Sequence, residues 1–274
     1  MRTKFSIVII VSILMLMGCQ YTNSNVKVTE KSTTEQRLEP IVKSSMEITM
    51  EPTIKIPLSA PDIIKEETYT IVIDAGHQSR GNSKLEPIGP GAKNKKKKVS
   101  SGTQGVVTKV AEYKVNLAVS LLLRDILVEQ GYDVVMIRET NDVNISNAQR
   151  AKIANASKAD AFIRIHCNGS EDKSVNGALT ICPTKNNPYC SDIYKDSWKL
   201  SKCILSGLCD NTGAKKRSIM KTDSMTGINW CEVPVTIVEM GYMTNAKEDR
   251  NLNKKAYQKK IAMGIANGLK DYFE

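Results

Sequence analysis

Histidine is nearly missing from this 274-residue chain, which has only His77 and His166. A metal centre built from three or four imidazoles is therefore excluded, and any histidine site must be completed by carboxylates or thiols. Seven cysteines are present but none stands in a CxxC pair, which removes the spacing of zinc ribbons and thioredoxin-like redox sites. A long apolar run is also lacking. The best candidate, Phe5 to Met17, falls short of the roughly 20 residues that a lasting transmembrane helix needs.

That short run is a processing signal. Arg2 and Lys4 precede it and Leu16-Met17-Gly18-Cys19 close it, an order of charge, apolar core and small residue that marks export. LMGC resembles the lipobox of bacterial lipoproteins, so residues 1–18 are expected to be removed and Cys19 to carry lipid. An ordinary secretory signal with an incidental cysteine is the alternative. Either way the mature chain is extracytoplasmic, on the lipoprotein reading at the outer face of the bacterial cytoplasmic membrane. Residues 19–67 are rich in Thr, Ser, Glu and Lys, with prolines at 40, 52, 57 and 61; too little apolar surface is available for folding, and the stretch reads as a tether. Residues 68–274 are then one domain.

The net charge is +10, and loss of Arg2 and Lys4 with the signal lowers it by two. Such a surface favours anionic cell-wall polymer or lipid headgroups. Export argues against nucleic acid, and a monomer is expected. Beyond Cys19, Cys167, Cys182, Cys190, Cys203, Cys209 and Cys231 make an even six, which in an exported protein permits up to three disulfides or leaves some thiols free.

Within residues 68–274 apolar runs alternate with helical patterns. Strands are expected at 69–75, 132–138, 159–166, 177–183 and 233–240. Helices are expected at 110–130, 146–159 and 191–210, and one or two at 247–273. The helix at 110–130 places Val115, Ala118, Val119, Leu122, Leu123 and Ile126 on one face, and Ser146 is the expected cap of the next. This alternation implies an α/β fold: a mostly parallel mixed sheet with helices on both faces. In such sheets, sites form at the carboxyl ends of the strands. His77, His166 and Glu239 each close an apolar run, and Glu112 opens the first helix. Two imidazoles and one carboxylate make a catalytic Zn2+ set with a position left for water, and a further carboxylate is the general base that water requires.

Four motifs then occur in order: DAGH ending at His77, Glu112 in AEYKVNLAVSLLLRDIL, R-x-x-x-A-N-x-x-x-A-D-x-F-I-x-I-H-x-N ending at Asn168, and VPVTIVEMGYMTN containing Glu239. Together they resemble the zinc-dependent N-acetylmuramoyl-L-alanine amidases of the Amidase_3 type, from about Ile71 to the C-terminus. The resemblance implies a zinc-exopeptidase-like or phosphorylase/hydrolase-like fold, His77, Glu112 and His166 as zinc ligands, Glu239 as the catalytic residue, and peptidoglycan as substrate. The chain departs from the family's DPGHGG at Ala75 and inserts EPIGPGAKNKKKKVSSGTQG beside the cleft. Arg164, where the family favours a small residue, shares a strand face with His166 and either binds a substrate carboxylate or pairs with a buried acid. Arg164 and Asn168 are the candidate substrate-binding residues.

Blander roles stand beside these. Glu112 suits a helix N-terminus by the macrodipole alone. Glu239 suits a buried ion pair. Asp74 either orients His77 or terminates its strand. Lys95 to Lys98 read as a solvated loop, placed to attract anionic polymer. Two rival functions are a non-catalytic wall-binding lipoprotein and a cysteine hydrolase using Cys167. The second is opposed by strand geometry, since Cys167 and His166 point to opposite faces.

Overall fold

The computed structural model describes residues 68–274; the expected signal peptide, Cys19 and the tether lie outside the described residues. The chain runs β1 (Thr70–Ala75), β2 (Asn82–Pro87), β3 (Lys95–Val99), α1 (Glu112–Glu129), β4 (Asp133–Met136), α2 (Asn147–Ala156), β5 (Ala161–Asn168) and β6 (Ala178–Pro183). A 3₁₀ turn (Ser191–Ile193) leads into α3 (Tyr194–Thr212), β7 (Lys216–Thr222), the short α4 (Thr226–Asn229), β8 (Val235–Tyr242), α5 (Ala246–Leu252) and α6 (Lys255–Phe273).

Six strands form one sheet in the order β4-β1-β5-β8-β6-β7. The first four run parallel; β6 pairs antiparallel with β8, and β7 runs parallel to β6. The central strands are buried almost throughout because both faces are covered. On one face Val115, Val119, Leu123 and Leu127 of α1 pack with Leu200, Ile204 and Leu208 of α3 and Ile261, Ile265 and Leu269 of α6. On the other, Ala151 and Ala154 of α2 and Ile228 of α4 meet Val72, Phe162, Val235 and Ile237.

Ser146 caps α2 as expected, its hydroxyl accepting from the Gln149 amide while the Gln149 side chain returns to the Ser146 N–H. One expectation needs correction. Lys95 to Lys98 are not a loop but belong to β3, which pairs antiparallel with β2; the ribbon is held by its backbone ladder, with Lys95, Lys96 and Lys97 exposed and Lys98 half-buried. The edge strand β7 was not expected, its pattern being mostly exposed and polar. All six described cysteines are free thiols, five of them buried. Among the described residues no helix is long and apolar enough to cross a membrane.

Candidate metal and catalytic site

Three parallel strands deliver the site. His77 follows β1 by two residues, and His166 on β5 is the register partner of Glu239 on β8, so these side chains gather at the carboxyl end of the sheet. Glu112 is the first residue of α1 and is buried beneath them. The chain bends sharply after β1: His77 itself takes a left-handed backbone (φ 59°), a conformation that a non-glycine residue holds only when its surroundings enforce it. Those surroundings are visible. Arg138 donates to the carbonyls of Ala75, Gly76 and Tyr113, and Arg150 donates to the carbonyls of Ala75 and His77. Gly76 is required for a different reason, because a Cβ there would stand 2.2 Å from the His166 ring.

His77 Nδ1 lies 2.9 Å from the Ser100 carbonyl oxygen. A carbonyl only accepts, so Nδ1 carries the proton and Nε2 presents its lone pair. Nε2 stands 3.1 Å from Glu112 Oε1 and 3.2 Å from His166 Nδ1, which is itself 3.2 Å from the same carboxylate oxygen. The three atoms thus form a nearly equilateral triangle. A tetrahedral ion with bonds of about 2.0 Å has ligand edges of roughly 3.3 Å, so this donor set fits zinc both in chemistry and in size. No other group of three His, Cys, Asp or Glu side chains among the described residues is close enough to hold a metal.

Protonation agrees with that use. Burial would raise the Glu112 carboxyl, but the His166 and His77 imidazoles beside it outweigh that and hold the group below the usual carboxylate range. Burial pushes His166 down to about 4, leaving it neutral, the form in which imidazole ligates. Glu112 is further fixed by the amides of Thr103 and Cys167 and by Asn116, which also donates to the Gly76 carbonyl. Such partners fix a ligand's orientation before an ion arrives. Glu239 is the opposite case. Burial, then the Glu112 charge, push its carboxyl up to about 8, and its Oε2 is buried without a hydrogen-bond partner.

His77, His166 and Glu239 line a cavity of about 480 Å³ with Arg164, Asn147, Lys96, Lys97 and a wall from Ser224 to Gly227. Arg164 is brought there while pairing with Asp74 (Nε to Oδ2, 3.0 Å). Asp74 does not orient His77; it lies between Arg150 and Arg164, and the Ser100 carbonyl holds His77 instead. Asn168 is not among the cavity residues, its side-chain oxygen accepting from the next amide, Gly169 N, at 2.8 Å. Cys167 packs into the core below α1, and burial raises its thiol well above the ordinary range, which deprives a cysteine nucleophile of its thiolate. Sequence reasoning assigned no role to Arg138, Asn116 or Ser100.

Residues 71–271 match the family model described as N-acetylmuramoyl-L-alanine amidase. The germination-specific N-acetylmuramoyl-L-alanine amidase of Bacillus subtilis is 30% identical over 182 residues, 60% of this chain and 72% of that one. The amidase LytC of the same organism is 28% identical over 204 residues, 74% of this chain but only 35% of that longer protein. Among solved structures, the catalytic domain of CwlV, an N-acetylmuramoyl-L-alanine amidase from Bacillus (Paenibacillus) polymyxa, superposes with a TM-score of 0.61 at 28% identity, covering 75% of this chain and 98% of that domain.

Proposed function

The chain belongs to the N-acetylmuramoyl-L-alanine amidase family of cell-wall amide hydrolases, and from that premise we propose that it cleaves the lactyl amide between muramic acid and the L-alanine of the stem peptide, with Zn2+ held by His77, Glu112 and His166. The observation that carries the reading is the triangle of donor atoms, 3.1 to 3.2 Å on a side, beside a buried carboxylate at the end of the sheet. Zinc bound there supplies Lewis acidity, which lowers the pKa of water toward neutrality and polarises a carbonyl.

The protein's own groups do the rest. Glu239 accepts a proton from the attacking water and returns it to the departing alanine amine, so one carboxyl serves both halves of the hydrolysis. Its elevated pKa reflects burial beside the Glu112 charge; a cation that offsets that charge brings it toward the working pH, where a proton is both taken and released efficiently. Lys96 and Lys97 on β3 face the cavity mouth and raise the local concentration of anionic wall polymer. Arg2, Lys4 and the LMGC sequence support export and a lipid on Cys19, which places a monomeric enzyme at the outer face of the cytoplasmic membrane, within reach of peptidoglycan.

The test is direct. Purified protein should release peptides with new N-terminal L-alanine from peptidoglycan without creating reducing sugar ends, and a chelator should stop it. Glu239→Gln should retain zinc and wall binding yet lose activity by about 10²–10⁴-fold, the usual contribution of a positioned acid–base group. Wall binding without any release would show a binding module; near-normal turnover in the zinc-loaded Gln variant would remove Glu239 from the mechanism.

A further inference from the structure

Three arginines lie buried around the end of β1: Arg138 is 3% exposed, Arg150 1% and Arg164 3%. Two of them are fully engaged. Arg138 donates from Nε to Ala75, from Nη1 to Thr140 and Asn141, and from Nη2 to Gly76 and Tyr113. Arg150 donates from Nε to Ile145, from Nη1 to Asp74 and Ala75, and from Nη2 to His77 and Gln78. Arg164 differs. Its Nε is taken by Asp74 and its Nη2 by Asn147 (2.9 Å), while Nη1 makes no hydrogen bond among the described residues.

Charge shows the same imbalance. Asp74 is the one carboxylate that pairs with Arg150 and Arg164, a single charge for two guanidinium groups, whereas all three nitrogens of Arg138 are met by carbonyl and amide oxygens. Arg164 therefore brings a positive charge into a buried setting with less than one counter-charge for it, a costly arrangement unless an anion completes it. Its place in the fold tells which anion. Arg164 lines the cavity two residues before His166 on the same strand face, and its Nη1 rests against Gly227, where a Cβ would come within 1.8 Å. The missing side chain at Gly227 is what leaves room for the guanidinium edge.

We propose that the cavity-facing edge of Arg164 binds a free carboxylate on the peptide portion of the substrate, making the enzyme selective for stem peptides that are acidic near the scissile bond. This rests on the amidase reading for the identity of the guest and on the cavity alone for its charge. A stem whose second residue is glutamate joined through its side chain carries such a free α-carboxylate one residue beyond the cut amide; in amidated peptidoglycan the same position is a neutral carboxamide. A planar guanidinium with an unspent donor edge accepts the first and gains little from the second.

The experiment is calorimetric titration of the full-length protein with two released stem peptides, identical except for a free or an amidated α-carboxyl at the second residue. Because both are products, no turnover is needed. The free acid should bind about 10–100-fold more tightly, the range of a charge-assisted hydrogen bond. Arg164→Gln should remove the difference. Gly227→Ala, which crowds Nη1 without altering any charge, should reduce it. Equal binding of both peptides to the wild-type protein overturns the proposal without reference to any variant. The uncleaved muramoyl substrates, acidic and amidated, separate the two readings: preference in binding with cleavage of neither leaves the carboxylate site standing and ends the amidase assignment. Cleavage of both at equal kcat/KM, with equal binding, ends the inference and leaves the amidase intact.

Discussion

Asp74→Asn tests the frame on which the site hangs. Asp74 is fully buried in β1, with one oxygen on Arg150 and the other on Arg164. Asparagine keeps the shape and removes the charge, so two guanidinium groups remain buried without their common carboxylate. Removing one partner of a buried ion pair costs about 3–5 kcal/mol, because the other charge stays desolvated. For a domain of this size each kcal/mol moves Tm by about 2–4 °C, so the variant should melt about 6–20 °C below the wild type at pH 7. The pH dependence gives an independent check. Burial would raise the Asp74 carboxyl, but Arg150 and Arg164 hold it well below the ordinary range. A carboxyl depressed in the folded state contributes stability above its unfolded pKa of about 3.9, and that contribution is lost as pH falls toward the folded value. The gap in Tm between wild type and variant should therefore be constant above about pH 5 and narrow at lower pH. Differential scanning calorimetry at several pH values measures both. A deficit under 2 °C at pH 7, or one that ignores acidification, would refute the argument that this triad carries the strand end bearing His77.

The elements that hold the site were legible because each is a mostly apolar run with a polar residue at or just beyond its carboxyl end. TIVIDA, AFIRIHCN and VTIVEMGY are buried along nearly their whole length, and a side chain at their carboxyl ends has few places to go except the site. The strands that escaped notice are those whose pairing owes nothing to apolar side chains. KKKKV in β3 and KRSIMKT in β7 are mostly exposed; backbone ladders hold them, and a ladder leaves no trace in hydropathy. Within α1 the expected face was turned. Ala118, Leu122 and Ile126 are only half-buried, whereas Asn116, Ser120 and Leu127 are covered. Asn116 is buried because it binds Glu112 and the Gly76 carbonyl, a functional contact that a pattern of apolar residues does not register. Arg150 had a signal that could have been used: it sits in the sheet-facing stripe of α2 beside Ala151 and Ala154, where a charged side chain must find a buried partner.

Further outcomes follow from the same geometry. His166→Ala removes one of the three donors, so metal analysis of the purified protein should fall from close to one zinc per chain to a small fraction, and full occupancy would overturn the ligand set. Cys19→Ala should shift the protein out of the membrane fraction or leave it uncleaved, whereas unchanged membrane association with normal processing would exclude lipid as the anchor. Gly76→Ala separates ligand geometry from ligand identity. Every donor is retained, but the added Cβ would lie 2.2 Å from the His166 ring, and this ring is wedged between Gly76 on one side and Glu112 and His77 on the other. The imidazole must rotate or shift, and misplacing a metal ligand of unchanged chemistry resembles losing its supporting contact, a cost of about 10–100-fold in affinity or activity. Competition of the variant and the wild type against a fluorescent zinc chelator should reveal that loss directly. An Ala variant that binds zinc as tightly as the wild type would mean that the position of the His166 ring in the triangle is not what sets the affinity, and the donor geometry would have to be assigned to other atoms.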